Sequence, residues 1–157
     1  MKKCFIKKCS ILAAIAALSA FLLLLSGCTS NKLADIYDED EVKAKAEEVV
    51  ALANAGDYET LASMFPEELK ASITAETFEA AWSEKLTECG EFVEFSKEVI
   101  LGQKQKDTGE DLAVAVLVAK YENGKAQFTL SFAKQDGEEE SGEDTPTPLS
   151  LVGAYMK

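Results

Sequence analysis

The sequence predicts an α+β domain in which helices cover one face of an antiparallel sheet. Up to Gly90 the apolar residues follow the 3.6-residue period of helices, and beyond it they alternate as in strands. The pair Asn123-Gly124 is a strong hairpin signal between two strand-like segments. Because the helices come first and the strands follow, we expect three N-terminal helices packed on a sheet of about four strands.

The first helix is predicted to begin at Glu41 and to stop at Gly56. Asp57 is expected to cap a second, short helix that Pro66 ends. The apolar positions of the first helix follow the helical repeat: Val42, Ala46, Val49, Val50 and Ala53.

The third helix is predicted to start at Thr74, whose hydroxyl can accept a backbone N–H, and to run to about Glu88. Four apolar residues then share one face of this helix: Phe78, Ala81, Trp82 and Leu86.

The strands are predicted from four segments after Gly90. Residues 93–101 alternate apart from an interruption at Lys97, and residues 112–121 are nearly all apolar, which predicts a strand buried on both faces. Residues 126–132 alternate cleanly, which predicts one wet face, and residues 149–156 supply the last strand.

The segment 138–148 is rich in carboxylates and contains two prolines. Such a segment cannot pack into a core, and its charges repel one another, which indicates a mobile, solvated loop. Clustered carboxylates are also ligands for calcium, but the spacing lacks the EF-hand pattern.

The first 27 residues have the organisation of an export signal. Four lysines precede an apolar run of fifteen residues, 11–25, as in secretory signal peptides. The alternative is a transmembrane anchor, but the run is shorter than the ~20 residues that a membrane-crossing helix needs.

Leu25-Ser26-Gly27-Cys28 follows the apolar run and resembles the lipobox of bacterial lipoproteins. In those proteins the cysteine sulfur receives a diacylglyceryl group and the cysteine becomes the first mature residue. The resemblance implies that Cys28 is lipidated and that the protein is extracytoplasmic, anchored to the bacterial cell membrane. The chain then divides into a signal peptide at 1–27, a lipidated N-terminus and tether at 28–40, and one domain at 41–157.

The mature chain is strongly acidic and lacks two kinds of side chain that most enzymes use. From Cys28 on, twelve lysines face twenty-eight acidic residues, a formal charge of −16. Such a surface repels nucleic acid, and it gains nothing from an anionic lipid surface. The chain has no arginine and no histidine, which removes the guanidinium fork, the usual general base and the commonest metal ligand. We therefore expect no nucleic acid partner, no metal, no cofactor and no enzymatic activity.

Cys89 is the cysteine that remains once the leader is removed and Cys28 is lipidated. It cannot form an intramolecular disulfide, and no histidine is present to activate it as a nucleophile. We expect a partly buried thiol at the end of a helix.

A set of packing and turn motifs runs from about residue 40 to residue 157. The motifs are Ala55-Gly56-Asp57-Tyr58-Glu59, Met64-Phe65-Pro66, Leu69-Lys70, Phe78 and Trp82, the Gly90 junction, Phe128 and Phe132, Asp136-Gly137 and Leu151-Val152-Gly153-Ala154-Tyr155. Together they resemble the bacterial domain of unknown function 3887, a family similar to the nuclear-transport-factor-like, or cystatin-like, cone fold. The acidic segment 138–148 departs from that pattern. The resemblance implies a curved sheet that encloses a pocket with the helices, and it implies no reaction.

Six aromatic residues are candidates for lining such a pocket: Tyr58, Phe78, Trp82, Tyr121, Phe128 and Tyr155. Aromatic residues at helical or strand spacing are more often part of a core. Related enzymes place an acid/base pair in the pocket, for which Asp57 with Tyr58 and Tyr121 is the candidate here. The position of Asp57 also suits a helix cap.

Three classes of function follow from these observations. The one we expect is a non-catalytic lipoprotein domain that binds a small apolar ligand or a partner protein. An adaptor for an envelope enzyme would need an exposed apolar patch of several hundred Å². A pocket enzyme of isomerase or hydrolase type would need a buried carboxylate with a raised pKa beside an open cavity.

Substitution of Cys28 tests whether this residue carries the lipid anchor. We expect the substitution Cys28→Ser to release the protein from membranes or to leave it unprocessed, because the serine hydroxyl cannot replace the thiol as lipid acceptor. Fractionation and gel mobility measure both effects. A Cys28→Ser protein that is mature in size and still sediments with membranes would show that the anchor lies elsewhere; Cys89→Ser serves as the matched control.

Overall fold

Four helical segments and four strands occupy residues 32–134 and 148–157, the part of the chain that the computed structural model describes. The helices are α1 (Glu39–Ala55), α2 (Tyr58–Ser63), α3 (Glu67–Lys70) and α4 (Ala75–Cys89), and the strands are β1 (Phe92–Lys104), β2 (Asp111–Tyr121), β3 (Gly124–Lys134) and β4 (Leu149–Met156). The predicted α+β class is confirmed. The signal peptide, Cys28 and the acidic residues 138–147 lie outside the described residues.

Side-chain caps start three of these helices. Asp38 Oδ1 accepts the backbone N–H of Glu41 at 2.9 Å, so α1 begins two residues before the predicted Glu41. Asp57 caps α2, and Thr74 Oγ1 accepts the N–H of Thr77 at 3.3 Å at the start of α4. The caps at Asp57 and Thr74 are the ones that the sequence predicts.

The described residues contain four helical segments where three were expected. Pro66 has an extended backbone, with ψ of 156°, and separates α2 from the residues that follow. The next four residues form the single-turn helix α3. A single turn has too few residues to show an apolar period, which is why the sequence pattern missed it.

The sheet is an antiparallel meander in the order β1-β2-β3-β4. The hairpin between β2 and β3 is present, but Tyr121 pairs with Gly124, so its two turn residues are Glu122 and Asn123. The predicted turn pair is therefore one residue too late. Gly124 belongs to β3 and has no positive φ.

A β-bulge explains the interrupted alternation in β1. Phe95 pairs with Ala119 and Lys97 with Val118, which leaves Ser96 without a partner of its own. A bulge bends its strand and increases the local twist. After the bulge Ile100 packs against the core like Phe95. Val99 and Leu101, which the alternation predicts on the face of Phe95, lie on the opposite face beside Val116 and Val114.

The expectation that β2 is buried on both faces holds for only part of the strand. Ala115, Leu117 and Ala119 are fully buried on the inner face, whereas Val116 and Val118 on the opposite face are partly exposed. The reason is that α1 and α4 pack on the inner face. In β3 the predicted alternation is confirmed, with an outer face that is partly exposed.

The space between the helices and the sheet is filled by a row of four aromatic rings. The distance between ring centroids is 5.7 Å for Phe65 and Phe78, 4.9 Å for Phe78 and Trp82, and 5.7 Å for Trp82 and Phe128 on β3. The last two pairs have edge-to-face geometry. Edge-to-face aromatic pairs contribute about 0.5–1.5 kcal/mol beyond their buried area. Within this row, the pair of Trp82 and Phe128 joins α4 to β3.

The described part of the expected tether, residues 32–40, packs against the domain. The Tyr37 hydroxyl donates to the carbonyl of Asp111 at 2.6 Å and accepts the N–H of Lys134 at 3.3 Å, and its ring is buried. Lys32 crosses β1 at Gly102, where a Cβ would collide with the Lys32 backbone. The domain therefore begins before residue 41, because Tyr37 and its neighbours cover one end of the sheet.

The aromatic row predicts a large effect of truncating Trp82, the single tryptophan of the chain. Its ring is 4% exposed, so Trp82→Ala should lower the free energy of unfolding by ~3–5 kcal/mol. Urea unfolding followed by circular dichroism measures this loss, and Trp82→Phe should cost less. Red-shifted native emission with easy iodide quenching in the unmodified protein would contradict the packing.

Candidate functional site

A cleft of about 980 Å³ opens where the C-terminal ends of α1 and α4 meet the turn between β2 and β3. Its walls are the last turn of α1, the start of α2, one face of α4 and the first residues of β1. Six of its lining residues are carboxylates: Asp57, Glu59, Glu76, Glu79, Glu91 and Glu122. No lysine lines it.

The wall formed by α1 and α2 depends on a tight turn between the two helices. Gly56 adopts the left-handed conformation, with φ of 70°, and ends α1. Asp57 follows immediately and its Oδ1 accepts the N–H of Thr60 at 3.1 Å, which starts α2. Asp57 is thus both a helix cap and a cleft residue, and Tyr58 follows it into the cleft wall.

The floor of the cleft is a junction between α4, β1 and the β2–β3 turn. Asn123 donates its N–H to the carbonyl of Cys89 at 2.9 Å, and Glu122 donates to the carbonyl of Glu91 at 3.0 Å. Gly90 between them has φ of 82° and ψ of −155°, a region that essentially only glycine adopts. A Cβ there would lie 2.8 Å from the Asn123 side-chain nitrogen, so this junction requires glycine.

Aromatic side chains lie beside this junction. The Tyr121 hydroxyl, on a ring only 3% exposed, donates to Asn54 Oδ1 at 2.7 Å and so links β2 to α1. Phe92 stands edge-to-face on Tyr121 at 5.9 Å, and it is 40% exposed at the rim. The cleft therefore presents an apolar ring next to its carboxylates.

The pKa shifts in the cleft oppose a proton shuttle. Hydrogen bonds from the Thr60 side chain and backbone hold the pKa of Asp57 below its ordinary value. Burial raises the pKa of Tyr121 to about 12 and also raises that of Tyr58. Near neutral pH the carboxylate stays ionised and the phenols stay protonated, whereas a general acid or base works best with a pKa near the operating pH.

The backbone adds to the negative potential of the cleft. The carbonyl end of a helix carries a partial negative charge, which basic side chains in the last turn often offset. The last turns of α1 and α4 both line the cleft, and neither contains a basic residue. Carboxylates and helix dipoles thus favour a positively charged occupant.

The six candidate pocket residues fall into three groups. Tyr58 and Tyr121 line the cleft. Phe78, Trp82 and Phe128 belong to the buried aromatic row and are not among the lining residues. Tyr155 lies on β4, 48% exposed and paired with Thr129. Cys28, the expected lipidation site, precedes the described residues, and Cys89 is a buried free thiol that ends α4.

Most of the residues that line the cleft were not predicted from the sequence. On α4, Glu76, Glu79 and Ser83 are spaced by three and four residues, which places them on one helical face. That spacing was a usable signal. The contributions of Asn54 and Phe92 had no sequence signal, because they depend on how the ends of α1 and β1 come together.

Neither a metal site nor a membrane span is found in the described residues. Within 32–134 and 148–157 no group of three or more Cys, Asp or Glu side chains can hold a metal ion. In the same part of the chain no helix is long and apolar enough to cross a bilayer.

The family model for proteins of unknown function DUF3887 matches residues 46–137, more than half of the chain. The chain belongs to the DUF3887 family. The matched span runs from within α1 to just beyond β3 and so includes both walls and the floor of the cleft.

This DUF3887 protein is also similar to a solved structure, an NMR structure of a protein from Ruminococcus gnavus ATCC 29149. The two are 26% identical, the alignment covers 82% of this chain and 99% of that one, and the TM-score is 0.62. The comparison with curated proteins finds no significant match.

The raised pKa of Tyr121 should make the protein less stable at alkaline pH. An unfolded tyrosine ionises near pH ~10, whereas Tyr121 in the folded protein holds its proton to about 12. The unfolded state therefore binds fewer protons between these values, and stability falls there by on the order of 2 kcal/mol while staying unchanged below pH ~10.

Urea unfolding at a series of alkaline pH values measures this loss. Tyr121→Phe should flatten the alkaline decline relative to the unmodified protein, at a cost of ~1 kcal/mol at neutral pH from the lost hydrogen bond to Asn54. Identical pH profiles for the two proteins would show that Tyr121 does not titrate as described.

Proposed function

We propose that this DUF3887 protein is a membrane-anchored extracytoplasmic lipoprotein whose domain binds a cationic ligand in the cleft without catalysing a reaction. The observation that carries the proposal is the composition of the cleft, which has six carboxylates, two helix C-termini and no lysine among its lining. A cation in the cleft would relieve the repulsion among these negative groups.

The ligand we propose has an apolar part next to its positive charge. The Phe92 ring, partly exposed at the rim, offers both dispersion contact and attraction to a cation. The sequence predicts a small apolar ligand, but an uncharged molecule would gain nothing from the six carboxylates of the lining. An ammonium group on an apolar stem matches both features.

A binding role fits the cleft chemistry better than catalysis. The Asp57 carboxylate is engaged with Thr60, and the Tyr121 hydroxyl is engaged with Asn54. Their pKa values are displaced away from neutrality in opposite directions. We therefore propose that these groups hold the walls of the cleft together.

The cleft corresponds, in our proposal, to the open end of a nuclear-transport-factor-like cone. The bulges in β1 favour a curved sheet, and the aromatic row from Phe65 to Phe128 fills the interior behind the cleft. The ligand then binds at the open end and not deep inside.

The anchor in this proposal is Cys28. It is supported by the basic and apolar leader and by the lipobox resemblance of Leu25-Ser26-Gly27-Cys28. A bound pair of acyl chains would hold the domain on the extracytoplasmic surface, where the cleft meets solutes and envelope proteins.

A pair of ring compounds of opposite charge tests the ligand class. Benzylamine and benzoate have the same ring, so a cation-binding cleft should respond to benzylamine alone. We expect titration with benzylamine to shift the backbone amide signals of Asn54, Gly90 and Glu122 in NMR spectra, with saturation, and expect benzoate to leave them unchanged. Added salt should weaken the binding because the carboxylates are exposed.

Variants that each remove one carboxylate test whether benzylamine binds in the cleft. Glu79→Gln and Glu91→Gln should each weaken benzylamine binding about two- to fivefold, the range for exposed charge pairs. Glu84→Gln is the matched control, since Glu84 is an exposed residue of the same helix outside the cleft. Equal weakening in all three variants, or equal shifts with benzoate, would reject a cationic ligand in the cleft.

A further inference from the structure

We propose that the end of the sheet that carries the β1–β2 hairpin faces the phospholipid bilayer, and that the cleft opens at the opposite end, away from the membrane. This inference rests on the proposed lipid anchor at Cys28. It concerns a second surface of the domain, the anchor end, defined by Lys32, Gly102, Lys104 and Asp111.

The anchor end is fixed by the length of chain between Cys28 and the folded domain. Only four residue steps separate Cys28 from Lys32, and a fully extended chain spans at most ~3.6 Å per residue, so Lys32 lies within ~14 Å of the lipidated cysteine. The Lys32 backbone sits against Gly102, near the end of β1. The lipid thus holds this end of the sheet close to the headgroups.

Two elements place the cleft far from the anchor end. Phe92 at the cleft and Gly102 at the anchor end are ten residues apart on β1. Their partners on β2, Tyr121 and Ala113, are eight residues apart, which corresponds to about 26 Å at ~3.3 Å per residue. Helix α1 begins two residues after Tyr37 at the anchor end, and its last turn lines the cleft. Its 17 residues span about 25 Å.

Charge opposes the alternative in which the domain lies on its side. The cleft rim carries six carboxylates and no lysine, so its approach to anionic headgroups is repulsive within a Debye length of ~8–10 Å. The anchor end is acidic too: Lys32 and Lys104 pair there with Asp35 and Asp111, but α1 begins at this end with Glu39, Asp40 and Glu41. The lipid, and not charge, therefore holds the anchor end at the membrane and leaves the cleft outward.

An outward cleft restricts the source of its ligand. Membrane lipids and their headgroups do not reach a site about 26 Å beyond the anchor end. The occupant is therefore a water-soluble cationic molecule from the extracytoplasmic medium.

A depth measurement on the lipidated protein tests this orientation. The full chain is expressed with its leader, purified from membranes in the Cys89→Ala background and reconstituted into vesicles of phosphatidylethanolamine and phosphatidylglycerol. A fluorophore is attached to Asp107→Cys, in the β1–β2 hairpin, or to Lys125→Cys, beside the β2–β3 turn, both exposed positions. Nitroxide on the lipid headgroups should quench the label at 107 several-fold more than the label at 125.

The outcomes separate the two proposals. Equal quenching at both positions, or stronger quenching at 125, overturns the orientation while the protein still floats with the vesicles and the lipoprotein proposal stands. Failure of the reconstituted protein to float, or flotation of Cys28→Ser to the same extent, overturns the anchor and the orientation together. Strong iodide quenching from the aqueous side at 125 and weak quenching at 107 is the matching positive result.

Discussion

The hydrogen-bonded junction at Gly90 is the constraint on which the cleft end of this domain depends. One residue with φ of 82° turns the chain from α4 into β1, and the two carbonyls beside it accept the N–H groups of Asn123 and Glu122. The end of the last long helix, the start of the first strand and the central hairpin are thereby held at one point. Because these elements form the floor and two walls of the cleft, its geometry follows from a backbone conformation that side chains other than hydrogen do not tolerate.

The aromatic row and the junction divide the molecule into a filled interior and an open end. The rings from Phe65 to Phe128 occupy the space in which a deep pocket would otherwise lie. Tyr121 closes the boundary, since its ring packs against Phe92 while its hydroxyl bonds Asn54. Packing of the core and formation of the cleft are therefore coupled: the residues that seal the interior also shape the surface available to a ligand.

Local signals in the sequence were sufficient for most of the fold. The caps at Asp57 and Thr74, the stop at Gly56 and the alternation in β3 are all decided by neighbouring residues, and the structure confirms them. The failures share another cause. The burial of Tyr37, the short helix α3 and the extent of exposure on β2 depend on which distant segment packs nearby. The cleft likewise depends on distant segments, because its residues come from five elements that meet only in the folded chain.

The distribution of ion pairs argues that the acidity of the cleft is not a by-product of an acidic composition. The described ion pairs of Lys43, Lys45, Lys70 and Lys120, like those of the two lysines at the anchor end, all use carboxylates outside the cleft. Across the rest of the surface the chain therefore offsets part of its negative charge, while at the cleft it adds two helix C-termini to six uncompensated carboxylates. Such an arrangement lowers the stability of the unoccupied protein. Arrangements that lower stability in this way are expected at functional sites. A bound cation would offset the repulsion among the carboxylates and the helix C-termini of the cleft.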